Sequence, residues 1–238
     1  MKIGVIMAMS KEFEAVAVAW SDKAQINQAI RYENGCKYMI FRPTPSDEVI
    51  IMQCGIGKVN GAIGAMTIAQ MGVDCIISSG VAGSLSKLCV IPGNVVIGTS
   101  YRYHDVYCGE GNEKGQIQGE PTEYDADENL LDVARKNMEK GFYFASIISG
   151  DCFVDTKEQA EKLCGQFPLS MAVDMESCAI AQVCNKKNIP FISYRVISDS
   201  ILNPQAMTYK EFWNVMPKKM ADFTMSYVLN VIKEYKPF

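Results

Sequence analysis

The chain has 238 residues, 48% of them hydrophobic and 21% charged, which suits one large domain with a substantial core and excludes a disordered or fibrous chain. A formal net charge of -4, with no cluster of lysine or arginine, argues against a nucleic-acid partner. No apolar run approaches the length of a membrane span. The nine cysteines form no CxxC pair and read mostly as buried free thiols in a reducing compartment. A single histidine, His104, and no paired ligand spacing predict no metal site. The opening MKIGVIMAMSKEFEAV lacks the pattern of a signal peptide, so the expected location is the cytoplasm.

In chain order, KIGVIMAM predicts a buried strand, and Ser10 reads as the N-cap of a helix over KEFEAVAVAW. Asn34-Gly35, between IRYE and CKYMIF, predicts a hairpin. VIIMQC is the next strand, and GIGKVNGAIGAMTIAQM runs from a glycine loop into a helix. DCIISSG predicts a strand ending in the glycine-rich loop VAGSL. NVVIGTS is a further strand, and ENLLDVARKNMEKG a helix closed by its glycine. ASIISG and SMAVDM predict strands on either side of KEQAEKLCGQF. SCAIAQVCNKKN is a helix, PFISYRVIS a strand, and the segment after Tyr209 a closing amphipathic helix. Alternating strands and helices, with no repeat and no low-complexity linker, predict a single α/β domain over 1–238 with a largely parallel or mixed sheet. CGEGNEKGQIQGEP, 108–121, is the longest expected loop.

In such sheets ligands gather beyond the carboxyl ends of the strands. Those ends carry Met9 and Glu12, Cys54 to Lys58, Gly80 to Gly83, Asp151 to Val154, Asp174 to Glu176, and Arg195 to Asp199. The stretch AVDMESCAIAQVC sets Asp174 and Glu176 in apolar surroundings, where a carboxylate is costly unless it is paired or hydrogen-bonded. An extended chain would aim both to one side of the sheet, whereas a helix beginning near Ser177 would make one of them a cap. Bland readings exist for the other residues. Glu12 suits a first-turn position complementing the helix dipole, Asp199 an N-cap, Met9 and Met175 core filler, and His104 a structural histidine. GIGKVNG fits no phosphate loop: Gly55 to Gly57 is too short for a P-loop, Val59 follows the lysine, and Gly61 falls one place late for GxGxxG.

GVIMAMSKEFEAV, CGIGKVNGAIGA, SSGVAGSL, RYHD, SGDCFV, AVDMESCAIAQVC and YRVISD occur in that order along the chain. Together they resemble the 5'-methylthioadenosine/S-adenosylhomocysteine nucleosidases of the purine nucleoside phosphorylase superfamily. The resemblance covers nearly the whole chain, and the MES and ISD blocks are its most specific parts. It implies a three-layer α/β/α domain with a central mixed sheet, a homodimer, no cofactor, and hydrolysis of the N-glycosidic bond of 5'-thioadenosines. By the same resemblance Asp199 protonates adenine N7, Ser198 orients Asp199, Glu12 is the general base on water, and Glu176 grips the ribose hydroxyls. Met9 and Met175 pack on the sugar, Phe153 stacks on the base, and main-chain groups at Val154 read its edge. Ile56 is a further substrate contact, Ala82 and Gly83 let the backbone approach the ligand, and Arg195 orders the water region. Val81 stands where the family commonly has a serine.

Three rivals remain at the level of sequence. A phosphorolytic relative would carry a Gly-Asp-Pro-x-Arg loop after the first strand, where this chain has MAMSKE. A futalosine-type nucleosidase would differ only in its 5' pocket. A non-catalytic nucleoside-binding protein would need neither a base nor an acid, which the set Glu12, Glu176 and Asp199 argues against.

Overall fold

A computed structural model describes residues 1–24, 29–86, 90–203 and 205–236. The first strand, β1 (Lys2–Met7), leads into α1 (Ser10–Ala24). A meander follows: β2 (Arg31–Glu33), β3 (Cys36–Thr44) and β4 (Asp47–Gln53). Asn34 and Gly35, at φ 48° and 78°, form the expected tight turn between β2 and β3. Then come α2 (Lys58–Gln70), β5 (Cys75–Ser84), β6 (Val95–Tyr103), the short β7 (Tyr124–Asp125) and α3 (Glu128–Lys136). The second half runs β8 (Phe142–Ser149), α4 (Lys157–Gln166), β9 (Ser170–Asp174), α5 (Ser177–Lys187), β10 (Phe191–Asp199), α6 (Tyr209–Val215) and α7 (Pro217–Glu234).

The ten strands form one mixed sheet. Parallel pairs join β1 to β4 and β5, β5 to β10, and β8 to β6 and β9. Antiparallel pairs join β10 to β6 and β5 to β9, so β5, β10, β6, β8 and β9 close on themselves while β1, β4, β3 and β2 extend one edge. Helices flank the sheet, with α1 packed on α7 and α2 packed on α5. Central strands such as β1 and β10 are buried along almost their whole length, as expected for strands covered on both faces. Gly4 in β1 shows how closely α2 lies: a Cβ there would fall 2.7 Å from Ile68 Cδ1.

Four local expectations are corrected. Ser10 is the first helical residue rather than the cap, and its hydroxyl turns to Gln53 Oε1 at 3.3 Å. VAGSL is not a loop up to Ser84: Val81 to Ser84 continue β5, held by β10 on one side and β9 on the other. The glycine of MEKG does not close α3, which ends at Lys136 with Asn137 as its C-cap, while Gly141 opens the way into β8. The closing helix is two helices, broken where Pro217 begins α7. Five of the described cysteines, Cys36, Cys54, Cys75, Cys178 and Cys184, are buried; Cys89 lies outside the described residues.

Candidate active site

The carboxyl ends of β1, β4, β5, β8, β9 and β10 and the start of α6 converge on a cavity of about 120 Å³. Eleven of the twelve residues given a role by the resemblance line it: Met9, Glu12, Ile56, Ala82, Gly83, Phe153, Val154, Met175, Glu176, Ser198 and Asp199. Parallel register brings the ends of β1, β4, β5 and β10 to one height and likewise those of β8 and β9, and the antiparallel pairing of Gly83 with Val173 joins the two sets. A register shift between Ile197 and Asp199 in β10 sets Asp199 opposite Gly83 of β5.

Glu12 sits at the first turn of α1, buried to 1% exposure. Its Oε2 accepts from the N–H of Ala8 at 3.1 Å and of Met9 at 2.9 Å, and its Oε1 accepts from the N–H of Val81 at 2.8 Å. Burial raises its pKa above the ordinary carboxylate value, while Arg195 and the three N–H groups oppose the rise. Gly80, at φ 147°, leaves room for this arrangement, since a Cβ there would run into Glu12 Oε1.

Glu176 is the N-cap residue of α5, but its side chain does not cap the helix. Its Oε1 accepts from Gly57 N–H at 2.8 Å, and burial pushes its pKa up to about 7 against the pull of Arg195. Asp174 takes the structural part instead. Its Oδ1 accepts from Ser149 Oγ at 2.6 Å and from the Ser177 N–H at 3.1 Å at the start of α5, and its Oδ2 pairs with Arg195 Nε at 2.9 Å. Of the two carboxylates in VDMES, one therefore pins the helix start and the other is free to face the cavity.

Asp199 is also shifted upward by burial, with the Ser198 hydroxyl opposing. Ser198 Oγ donates to Asp199 Oδ1 at 2.6 Å, consistent with an orienting contact, and lies 3.3 Å from the Ala82 carbonyl. Phe153 is 55% exposed at the rim and meets Tyr209 edge to face, with ring centroids 5.9 Å apart.

Arg195 is the expectation that the geometry corrects. It does not line the cavity; it is 1% exposed behind the wall. Its guanidinium donates to the hydroxyls of Ser78, Ser177 and Ser193 and pairs with Asp174, with Glu176 Oε2 at 3.9 Å. Burial works against its charge, but Asp174, Glu176 and Glu12 outweigh it and raise its pKa. It acts on the carboxylates from behind. Among the described residues lining the cavity, none is cationic.

The sequence reading missed Tyr209 as a lining residue. Tyr209 stands at the start of α6, and its hydroxyl donates to Met9 Sδ at 3.3 Å. The pattern Thr208 to Glu211, a capping box, marks where that helix begins, but nothing local says that its first residue faces a cavity.

The family model of the Phosphorylase superfamily matches residues 2–230. A 5'-methylthioadenosine/S-adenosylhomocysteine nucleosidase of Haemophilus influenzae is 32% identical over 235 residues, covering 96% of this chain and 99% of its own. The solved structure of such a nucleosidase from S. pneumoniae, holding a transition-state inhibitor, superposes with a TM-score of 0.84 at 26% identity, over 99% of this chain and 100% of that one. The futalosine hydrolase of Helicobacter pylori superposes with a TM-score of 0.82 at 25% identity, over 98% of both chains.

Proposed function

The chain belongs to the Phosphorylase superfamily and, within it, to the 5'-methylthioadenosine/S-adenosylhomocysteine nucleosidases, and from that membership we propose how its cavity works. The enzyme hydrolyses the N-glycosidic bond of 5'-methylthioadenosine and S-adenosylhomocysteine, releasing adenine and the 5-thioribose product. The observation that carries the roles below is the convergence of Glu12, Glu176 and Asp199 on one cavity whose described lining holds no cation.

Adenine is a poor leaving group until N7 carries a proton. Asp199, raised by burial, supplies that proton from Oδ2 while Ser198 holds Oδ1. The C1'–N9 bond breaks with its electron pair going to the purine, and the sugar takes on oxocarbenium character. Carboxylates in a partly dry cleft stabilise that charge. Glu176 accepts from the ribose hydroxyls through the oxygen that Gly57 leaves free. Water adds to C1', and Glu12 takes its proton, its raised pKa bringing it nearer to working pH. Met9 and Met175 pack on the sugar, Phe153 covers the base, and the backbone at Val154 reads its edge.

Phosphorolysis would need the cavity to receive a dianion beside Glu12. The cation nearest that point, Arg195, is already engaged with Asp174 behind the wall. Hydrolysis is tested by product identity with methylthioadenosine, with and without phosphate. The expected products are adenine and free methylthioribose at a rate indifferent to phosphate, with Glu12→Gln inactive; methylthioribose 1-phosphate would reject the assignment. Futalosine as a second substrate separates the two kinds of hydrolase.

In the same reading the whole chain, 1–238, works as one domain in the cytoplasm and as a homodimer. What supports the dimer is an apolar rim running from the cavity-lining Ile56 onto α2, where Ile56, Val59 and Ile63 are 51%, 70% and 40% exposed.

A further inference from the structure

The N-terminus of α2 is held by Glu176 and by charged side chains that take no part in the steps above. Gly57, its N-cap, has φ 98° and ψ 165° and offers no side chain to cap the helix. Its N–H goes to Glu176 Oε1, and the next amide, that of Lys58, donates to Asp151 Oδ1 at 2.8 Å. The first-turn amides and the positive end of α2 are thus satisfied by carboxylates from elsewhere in the chain. Lys58 Nζ reaches Asp105 Oδ2 at 2.7 Å, lies 3.9 Å from Asp151 Oδ2, and sits 5.4 Å from the centroid of the Tyr103 ring. Asp105 Oδ2 also accepts from the N–H of Asp151 at 2.9 Å. The loops after β4, β6 and β8 are therefore tied together at one point, directly beside Glu176.

We propose that Lys58, Asp105 and Asp151 are positioning residues: their bridge fixes the Gly57 amide on Glu176 and so sets the orientation of the carboxylate that grips the ribose. The proposal rests on the reading of Glu176 as that grip. An ion pair with both side chains 25% exposed contributes little to stability, and the rim location lets variants fold. Its value is geometric. Freed from Gly57, Glu176 would turn its second oxygen away from the sugar and lose the hydrogen bond that favours its ionised form. The charged and titratable groups facing Glu176 are Arg195 from β10, Asp174 from β9, Glu12 from α1 and Cys54 after β4.

The test uses the full chain with methylthioadenosine and compares Asp105→Asn, Lys58→Met and Lys58→Arg with Glu176→Gln. Asp105→Asn and Lys58→Met should raise KM roughly three- to tenfold, more than they lower kcat, and move the acid limb of kcat/KM to higher pH. Lys58→Arg should restore near-native values. Asp105→Asn is the deciding variant, because loss of a negative charge through space alone would move that limb to lower pH. An Asp105→Asn limb that stays or moves down, with Glu176→Gln inactive, overturns the bridge and leaves the grip standing. An active Glu176→Gln overturns the grip itself.

Discussion

At the entry to α1, Glu12 gives one carboxylate oxygen to the amides of Ala8 and Met9 and the other to Val81, so the group assigned as base also closes the first turn of its own helix. The bland reading of Glu12 as a first-turn residue holds, and the role proposed for it as base is compatible with the same geometry. Asp199 is different: only the Ser198 hydroxyl donates to it among the described contacts, leaving its second oxygen for the ligand. Asp199→Asn keeps the shape and loses the proton, so kcat should fall roughly 10²–10⁴-fold with folding intact. Because burial raises the Asp199 pKa, the protonated fraction declines as pH climbs through that raised value. Native kcat/KM should therefore drop on the alkaline side, and steady-state profiles of Asp199→Asn should lose that limb. A variant with near-native kcat would remove Asp199 from the reaction.

At the level of elements, α4 is anchored by a capping box in which Thr156 and Gln159 satisfy each other's backbone amides. Gln159 Oε1 also accepts from the N–H of Asp155 at 3.1 Å, and the chain just before it, Cys152 to Val154, forms one wall of the cavity. Thr156→Ala should cost about 1 kcal/mol. For a chain of this size that lowers Tm by about 2–4 °C in calorimetry. KM should rise as the wall loosens; an unchanged KM would show that the wall is independent of the cap. The elements themselves were largely readable. Period-2 and buried apolar runs marked the strands, and Asn34-Gly35 fixed a turn because both residues tolerate positive φ. VAGSL misled because Gly80 and Gly83 suggest a loop, whereas residues 81–84 are paired with β10 and β9 within the sheet. Carboxylates at strand ends were legible, but Tyr209 was not: it meets Met9 across 200 positions, and no local pattern reports such a contact. Arg195 was placed on the correct strand, yet its distance from the ligand depends on which face of β10 the sheet buries.

For the whole molecule, the exposed run Ile56, Val59 and Ile63 lies on the loop into α2 and on that helix, next to the cavity mouth. Sedimentation at micromolar concentration should give a dimer, and Val59→Glu should shift it toward monomer while lowering activity. A fully active native monomer would sink that assignment. Glu176 has a further consequence, for exchange with the surrounding buffer. With its pKa pushed up to about 7, the empty site holds this proton part of the time at neutral pH. Ribose hydroxyls that donate to Glu176 select its ionised form, so filling the site expels a fraction of a proton from this group at neutral pH. The heat of binding a non-hydrolysable nucleoside analogue should then vary linearly with the ionisation enthalpy of the buffer. The slope counts the protons released, and it should shrink toward zero as the titration is moved well above pH 7, where Glu176 has already given its proton to the solvent.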